Sequence, residues 1–317
     1  MSIWLIGAGY MAQEYAKVLN ELAPEYEVIG RGEKSALNFE SNTKHKVRKG
    51  GLTNALEISK SPDQAIVAVG VENLSNIAIE LVQAGVQRIL LEKPAGLNKK
   101  EVKDVHEIAT SYGVDIMVAY NRRFYTSTKI IKELIRKDGG ATSCIFEFTE
   151  WSQVIEPLVK APGVKESWFL ANSTHVVDLA FHICGFPKEF TAWKKGSLSW
   201  HPSASRFCGS GVTEQDVLFN YHADWKAPGR WGIEVLTKKN RYILQPLEEL
   251  QVVELGSLKI LGIEIDDQKD KQFKPGVYNQ LKAFLESDDS LFCSIEEQLQ
   301  HIDIYNKIAG YDSHKTS

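Results

Sequence analysis

The sequence predicts an α/β fold with two domains, over residues 1–121 and 122–317. Short apolar runs alternate with helical patterns up to residue 120, which predicts a doubly wound parallel sheet with right-handed crossovers. After residue 120, strand patterns follow one another between turn residues, which favours an open, mostly antiparallel sheet in a second α/β domain. A length of 317 residues fits two domains, each able to bury its own core.

Strands of the first domain are predicted where apolar runs are short and continuous, and helices where apolar residues share one face. Asn98 and Glu101 have the spacing of a capping box, and Gly85 and Gly113 are placed to end helices. The predicted strands are Ser2–Ile6, Glu27–Ile29, Ala65–Val71, Gln87–Leu91 and Val114–Tyr120. The predicted helices are Gly9–Leu22, Asn76–Ala84 and Asn98–Tyr112.

The second domain is predicted from alternating strands, of which Cys144–Thr149 is the clearest because every second residue is apolar. A helix carries residues 175–185. Further strands are predicted at Phe190–Lys194, Asp216–His222, Ile233–Thr237, Arg241–Leu244 and Leu250–Glu254. Further helices are predicted at Thr126–Arg136, Val277–Leu285 and Ile295–Ala309.

Composition excludes several classes of protein. A hydrophobic fraction of 43% with 25% charged residues is not that of a disordered or fibrous chain. A formal charge of −4 gives no long-range attraction to nucleic acid or anionic lipid. The first apolar run stops at Gly7, too early for a signal peptide or a membrane anchor, and the four cysteines form no C-x-x-C pair. We therefore expect a cytoplasmic protein without nucleic-acid, membrane or metal partners.

Gly7, Gly9 and Ala12 form the pattern G-x-G-x-x-A between the first strand and the first helix. Gly7 permits a tight turn, Gly9 lets a pyrophosphate approach the backbone, and Ala12 keeps the helix close to the sheet. Tyr10 and Met11 lie in the first turn of the predicted helix, whose N-terminal N–H groups are available to phosphates. The pattern therefore predicts a dinucleotide site.

The end of the second strand bears on the choice of cofactor. NAD enzymes place an acidic residue there, about 20 residues after the glycines, to hold the ribose. In this chain Arg31 follows the strand, and Arg31, Lys34 and Ser35 can supply donors to a 2′-phosphate. The residues favour NADP(H) and leave NAD(H) possible, with Glu33 as the alternative ribose ligand.

Two further sets of residues are candidates for catalysis. Glu92 and Lys93 follow the strand Gln87–Leu91 and precede a proline, at the sheet edge where ligands bind in open α/β folds. His175, Asp178 and His182 are spaced by three and four residues, so their side chains share one face of an otherwise apolar helix. An imidazole is suited to proton transfer near neutral pH.

Taken together, G-x-G-x-x-A, Glu92-Lys93-Pro94 and Asn121-Arg122-Arg123-Phe124 resemble the glucose–fructose oxidoreductase, inositol dehydrogenase and MocA-like oxidoreductase family. The resemblance implies an N-terminal Rossmann domain and a C-terminal domain that binds substrate. It implies that Lys93, Asp178 and His182 are catalytic, with His182 as the first acid–base candidate and His175 as the second. It also implies that Lys93 and His182 converge on one nicotinamide.

The chain departs from the family pattern at two places. After the fourth strand many members have Thr-Pro and His, where this chain has Val69-Gly70-Val71-Glu72-Asn73. Before the helix of His175 many have three glycines, where this chain has Ser167–Thr174. The predicted cofactor set is completed by Val69, Asn73, Glu92, Lys93 and Arg123. The predicted substrate set is Lys93, Trp168, Asn172, Thr174, His175, Asp178 and His182, with helix capping as the alternative role of Asn172 and Thr174.

The resemblance implies an NAD(P)-dependent oxidoreductase that acts on a secondary alcohol or ketone of a sugar, polyol or nucleotide-activated sugar. It also implies a homodimer or homotetramer. Two alternatives remain at this point. One is a glycoside hydrolase of the same family that oxidises its sugar transiently with no net redox change. The other is a non-catalytic NADP-binding sensor. The turn residues Arg230-Trp231 and Lys274-Pro275-Gly276 carry cations that can bind an anionic group or serve turn formation alone.

Overall fold

The computed structural model describes residues 2–23 and 25–311. Contacts between Cα atoms divide them into two compact units. The first unit contains the described residues up to Tyr120 together with Gln272–His301, and the second contains Asn121–Lys271 and the described residues from Ile302 onward. Residues 272–301, which the prediction assigned to the second domain, pack in the first unit because they contribute a helix and an edge strand to it.

The first unit is built on a seven-stranded sheet, with strands numbered here in chain order. They are β1 (Ile3–Ile6), β2 (Glu27–Ile29), β3 (Val47–Arg48), β4 (Gln64–Val67), β5 (Arg88–Leu91), β6 (Asp115–Val118) and β15 (Cys293–Ser294). Their order is β15-β6-β5-β4-β1-β2-β3, and every pair is parallel except the one that β15 forms with β6. The chain winds in both directions from β1, which confirms the predicted doubly wound sheet.

The helices of this unit bury one apolar face against the sheet. They are α1 (Tyr10–Leu22), α2 (Glu33–Thr43), α3 (Gly51–Ile58), α4 (Leu74–Gln83), α5 (Lys99–Tyr112) and α10 (Val277–Glu286). In α1 the fully buried positions include Tyr15, Val18 and Leu19, as the helical period requires. The predicted capping box of α5 is present, since Asn98 accepts a hydrogen bond from the N–H of Glu101 at 3.0 Å.

Two features between β2 and α4 differ from the prediction. Residues 33–58 form α2, β3 and α3, which the sequence analysis did not predict; α2 is mostly polar and buries only Ala36 and Phe39. The strand predicted over Ala65–Val71 ends at Val67, and a 3₁₀ turn occupies Val71–Asn73. The chain leaves the sheet early because Ala68 and Val69 line a cavity at its edge.

The second unit contains an eight-stranded sheet in the order β14-β13-β12-β11-β7-β10-β9-β8. Its strands are β7 (Ser143–Glu147), β8 (Pro187–Lys195), β9 (Arg206–Thr213), β10 (Leu218–Asp224), β11 (Gly232–Leu236), β12 (Asn240–Leu244), β13 (Gln251–Glu254) and β14 (Leu261–Gly262). Only β7 and β10 pair in parallel, which confirms the mostly antiparallel prediction. Strand β9 was not predicted because its glycines interrupt the apolar alternation.

One face of this sheet packs on helix α8 (Thr174–Cys184) through aromatic rings. The ring centroids of Phe146 and Phe181 are 5.3 Å apart, and so are those of Phe148 and Phe169. The other helical segments are α6 (Thr126–Lys137), α7 (Ser152–Ile155), a π-helix (Phe169–Ser173) and α9 (Gln268–Gln272); the last helix of the chain is α11 (Ile295–Ala309). Among all described helices, none is both long enough and apolar enough to cross a bilayer.

Candidate functional site

A cavity of about 480 Å³ opens at the carboxyl ends of β1, β2 and β4. Ligands of doubly wound sheets bind at this position. Eight of the predicted cofactor residues line it: Gly7, Gly9, Tyr10, Met11, Arg31, Ser35, Val69 and Asn73. Ala12 is fully buried behind it in α1, and Lys34 is exposed and does not line it.

Gly7 and Gly9 are each required in the loop for a different structural reason. Gly7 has φ +121°, and a Cβ there would lie 2.2 Å from the carbonyl oxygen of Ala68, so no larger residue fits. At Gly9 a Cβ would meet no protein atom within 4 Å, because this position faces the cavity. Gly9 is also the N-cap of α1 and offers no side-chain oxygen to its first N–H groups. The loop therefore fits a pyrophosphate on chemical grounds.

At the far end of the cavity, Arg31 is the basic residue among its lining side chains. The Ser35 hydroxyl donates to the carbonyl oxygen of Gly32 at 2.9 Å. Glu33 forms an exposed ion pair with Lys49 at 2.5 Å and does not line the cavity. An acidic residue that does line it, Glu72, accepts a hydrogen bond from the Asn73 side-chain amide at 2.8 Å.

Lys93 stands in a rigid turn directly after β5. Only 6% of its surface is exposed, and its peptide bond to Pro94 is cis. The preceding Glu92 accepts a hydrogen bond from the Tyr15 hydroxyl at 2.7 Å, and its N–H donates to Val67 at 3.0 Å. Burial raises the pKa of Glu92, while the nearby charges of Lys93 and Lys274 oppose that change. The sheet edge therefore holds an amine beside a carboxyl group of raised pKa.

In the second unit, Asp178 is paired with Arg123. The guanidinium donates to both carboxylate oxygens, from Nη2 at 2.6 Å and from Nε at 2.8 Å, and both side chains are at least 98% buried. The Tyr305 hydroxyl donates to the same carboxylate at 3.3 Å. This is the bidentate geometry of a strong charged pair. Among the described residues of this unit, Asp178 therefore bonds to Arg123 and Tyr305 rather than to His182.

His182, in the last turn of α8, lies against a lysine. Its Nε2 is 2.9 Å from the Nζ of Lys132 on α6. Burial lowers the pKa of His182 well below its usual value, and the charges of Arg123 and Lys132 lower it further. Burial and Arg123 also lower the pKa of Lys132. The imidazole is therefore neutral near pH 7, with Nε2 accepting from the lysine ammonium.

The π-helix before α8 uses its polar side chains internally. Asn172 and Ser173 both donate to Oε1 of the buried Glu150, at 2.8 and 2.7 Å. The Thr174 hydroxyl donates to the carbonyl oxygen of Leu170 at 2.8 Å, and Thr174 is fully buried. Neither Asn172 nor Thr174 is the N-cap of α8, a position that Ser173 occupies. The Thr174 hydroxyl proton is thus engaged within the chain.

His175 and Trp168 lie among aromatic rings. The half-buried His175 ring is 6.2 Å from that of Trp231, and Trp168 packs edge-on against Trp200 at 6.0 Å. Of the predicted catalytic residues, Lys93 belongs to the first unit, and His175, Asp178 and His182 belong to the second.

Three residues in these arrangements were not predicted from the sequence: Lys132, Glu150 and Glu72. Lys132 lies on the helix that follows Arg123 but is 50 positions from its partner His182, so no local spacing connects the two. Glu150 follows the apolar alternation of 144–149 directly, and an acidic residue after a buried strand is a signal that could have indicated it. Glu72 lies in a segment that the analysis had marked as departing from the family.

Residues 1–120 match the family model GFO_IDH_MocA, described as an oxidoreductase family with an NAD-binding Rossmann fold. The match covers the first 120 of the 317 residues. The match confirms, over residues 1–120, the resemblance predicted from the motifs.

Curated relatives that match part of the chain are trans-1,2-dihydrobenzene-1,2-diol dehydrogenases. The mouse (Mus musculus) protein is 24% identical over 133 residues, which cover 41% of this chain and 40% of the relative. The rabbit (Oryctolagus cuniculus) protein is 26% identical over 137 residues, which again cover 41% of this chain and 40% of the relative. The chain thus matches about two fifths of the length of these relatives.

Solved structures match nearly the whole chain. UDP-N-acetylglucosamine 3-dehydrogenase GnnA from Acidithiobacillus ferrooxidans has a TM-score of 0.74 at 13% identity, covering 98% of this chain and 96% of that one. Levoglucosan dehydrogenase in complex with NADH has a TM-score of 0.78 at 16% identity, covering 97% and 95%. At these identities the likeness establishes the fold of both units.

Proposed function

We propose that the protein is an NAD(P)-dependent oxidoreductase that transfers a hydride between the nicotinamide and a secondary alcohol or ketone of a sugar, polyol or nucleotide-activated sugar. The observation that carries the proposal is the cavity at the N-terminus of α1, where Gly7 is sterically required and Gly9 faces open space. The match of residues 1–120 to an NAD-binding oxidoreductase family supports it. So do relatives named as dehydrogenases of a diol and of levoglucosan.

The residues that line the cavity would hold the dinucleotide. The loop of Gly7 and Gly9 and the N–H groups at Tyr10 and Met11 would bind the pyrophosphate, and Val69 and Asn73 would line the path beyond it. When bound, the nicotinamide supplies or accepts the hydride, and the protein contributes placement and proton transfer.

Lys93 is proposed to hold the reacting oxygen of the substrate. Its ammonium donates a hydrogen bond to that oxygen, which stabilises negative charge as the proton leaves the alcohol. Burial of Lys93 in the turn after β5 strengthens such an interaction, because the local dielectric is low. Glu92, held by Tyr15, keeps a carboxyl group next to the amine.

For the acid–base residue, the contacts of the second unit favour His175 over His182. The Nε2 of His182 faces the ammonium of Lys132 at 2.9 Å, and that contact opposes uptake of a proton. His175 lies one helical turn before Asp178 and is half-buried. We propose that His175 takes or gives the proton and that Asp178, through Arg123, fixes the helix that carries it.

Arg31 supports the preference for NADP(H). It is the basic residue lining the ribose end of the cavity, and Glu33 is paired with Lys49 instead. Replacing Arg31 by Ser removes the guanidinium that would pair with a 2′-phosphate. We expect the Kd for NADPH to rise roughly 10- to 100-fold, the value of a charged hydrogen bond, and the Kd for NADH to change little. Equal effects on both cofactors would contradict the preference.

The proposal includes a small-molecule carbohydrate substrate, a homodimer or homotetramer, and a cytoplasmic location. Turnover is tested by following nicotinamide absorbance with oxidised NADP and NAD against a panel of sugars and polyols. Lys93→Met and His175→Gln are expected to lose roughly 10²–10⁴-fold in kcat while still binding cofactor. If His182→Gln loses as much kcat and His175→Gln is fully active, then His182 rather than His175 is the acid–base residue. Light scattering of the purified protein measures the oligomer.

A further inference from the structure

Two arginines and two tryptophans of the second unit form a basic–aromatic cluster, defined here as Arg122, Trp151, Arg230 and Trp231. The guanidinium of Arg122 lies 4.8 Å from the centre of the Trp231 ring, and that of Arg230 lies 4.6 Å from the same ring. Arg230 also lies 4.8 Å from the Trp151 ring. Both arginines are therefore within about 10 Å of each other, held by aromatic faces.

The cluster carries more positive than negative charge. One carboxylate that contacts it is Glu150, whose Oε2 lies 3.7 Å from Nη1 of Arg230. The other oxygen of Glu150 already accepts from Asn172 and Ser173. Arg122 donates to a neutral group, the side-chain oxygen of Asn121, at 3.2 Å. Arg230 thus pairs with a carboxylate that other donors also use, and a further anion would reduce the repulsion between the two guanidinium groups.

The cluster also contains buried donors with unused capacity. The Nε of Arg122 and the Nε1 of Trp231 are both buried, and neither has a hydrogen-bond partner within residues 2–23 and 25–311. Both groups can only donate. Buried donors in native proteins nearly always have an acceptor, so oxygen atoms of a bound anion would meet a requirement that the described residues leave open. Arg230 remains 46% exposed, which leaves it open to such a ligand.

We infer that the basic–aromatic cluster binds an anionic group of the substrate, a carboxylate or a phosphate, so that the carbohydrate is a sugar acid or a sugar phosphate. The inference rests on the proposed function for the presence of a sugar. Planar guanidinium groups match the paired oxygens of both kinds of anion. The Trp231 ring, 6.2 Å from His175, places the anion site beside the proposed acid–base residue of the same unit.

Calorimetric titration in the presence of oxidised NADP tests the inference, with D-glucuronate, D-glucose 6-phosphate and neutral D-glucose as probes at constant ionic strength. We expect at least one anionic probe to bind about tenfold or more tightly than D-glucose, and the better of the two identifies the anion. Arg230→Gln and Arg122→Gln are expected to weaken that binding roughly 10- to 100-fold. Arg206→Gln, an exposed charge on β9 outside the cluster, is the matched control and should bind as wild type.

Equal affinity for the three probes, or unchanged affinity in both cluster variants, would overturn the inference. If a variant fails to fold, the wild-type protein still decides, because binding of an anionic probe must weaken as salt rises while binding of D-glucose must not. The two proposals fail separately. Turnover of neutral polyols without any preference for anions refutes the anion site alone, whereas tight anion binding without hydride transfer to any sugar refutes the oxidoreductase alone.

Discussion

Replacing Asp178 by Asn should destabilise the second unit severely. Asparagine has nearly the same shape as aspartate but carries no charge. It therefore removes the carboxylate to which Arg123 donates two hydrogen bonds, at 2.6 and 2.8 Å. The guanidinium would stay at least 98% buried without its bidentate carboxylate. Breaking one side of such a pair costs about 3–5 kcal/mol, because desolvation of the remaining charge is no longer offset.

The assay is urea denaturation followed by tryptophan fluorescence. Six of the seven tryptophans lie in the second unit, so the signal reports mainly on it. Glu234→Gln is the matched control, since it removes a carboxylate paired with Arg241 on a more exposed part of the same unit, and should cost no more than about 1 kcal/mol.

Replacing both partners, as in Arg123→Met with Asp178→Leu, should recover most of the loss, because no charge is left buried. A loss for Asp178→Asn as small as that of the control would refute the structural role of the pair. Asp178 would then be available for direct chemistry, as the sequence first suggested.

Two other predictions follow from the structure. Gly9→Ala should fold with wild-type stability yet bind NADPH at least about tenfold more weakly, since its Cβ would meet only the cavity. Gly7→Ala should lose stability as well, because its Cβ would lie 2.2 Å from the carbonyl oxygen of Ala68. Thermal melting measures the stability and cofactor titration the affinity, and equal behaviour of the two variants would contradict the assigned roles. His182 has a pKa lowered by burial and by nearby cations, so the folded protein binds fewer protons there than the unfolded chain. Its contribution to stability is therefore full above pH about 6.5 and declines as the pH falls below that value. In NMR titrations its ring should stay neutral well below pH 6.5, and Lys132→Met should raise its pKa; an ordinary pKa in the wild type would refute the packing described.

Local patterns in the sequence predicted much of the fold. The capping box at Asn98 and the buried face of α1 depend on residues three and four apart, and the structure has both. Strands β1, β5 and β6 were found because a parallel sheet buries both of their faces. The segment of α2 was missed, since two buried side chains give too weak a periodicity.

The candidate site was predictable only in part, because only some of its contacts depend on residues that are close in sequence. The glycine loop is local, and eight of the predicted cofactor residues line one cavity. The partners of Asp178 and His182 are 55 and 50 positions away. Arg123 lies in the turn just before α6 and Lys132 lies on α6, so both contacts arise only when this segment packs against α8. His175, Asp178 and His182 lie on one helix, as predicted, but the different contacts of their side chains depend on residues outside that helix.

The most direct test of the oxidoreductase proposal follows a deuterium label. Sugars and polyols deuterated at their carbinol carbons are incubated with the purified protein and oxidised NADP or NAD, and the nicotinamide is analysed by mass spectrometry. The proposal predicts that one deuterium per turnover appears in the reduced cofactor and that Lys93→Met abolishes the transfer. Bound cofactor that acquires no deuterium from any compound would contradict it.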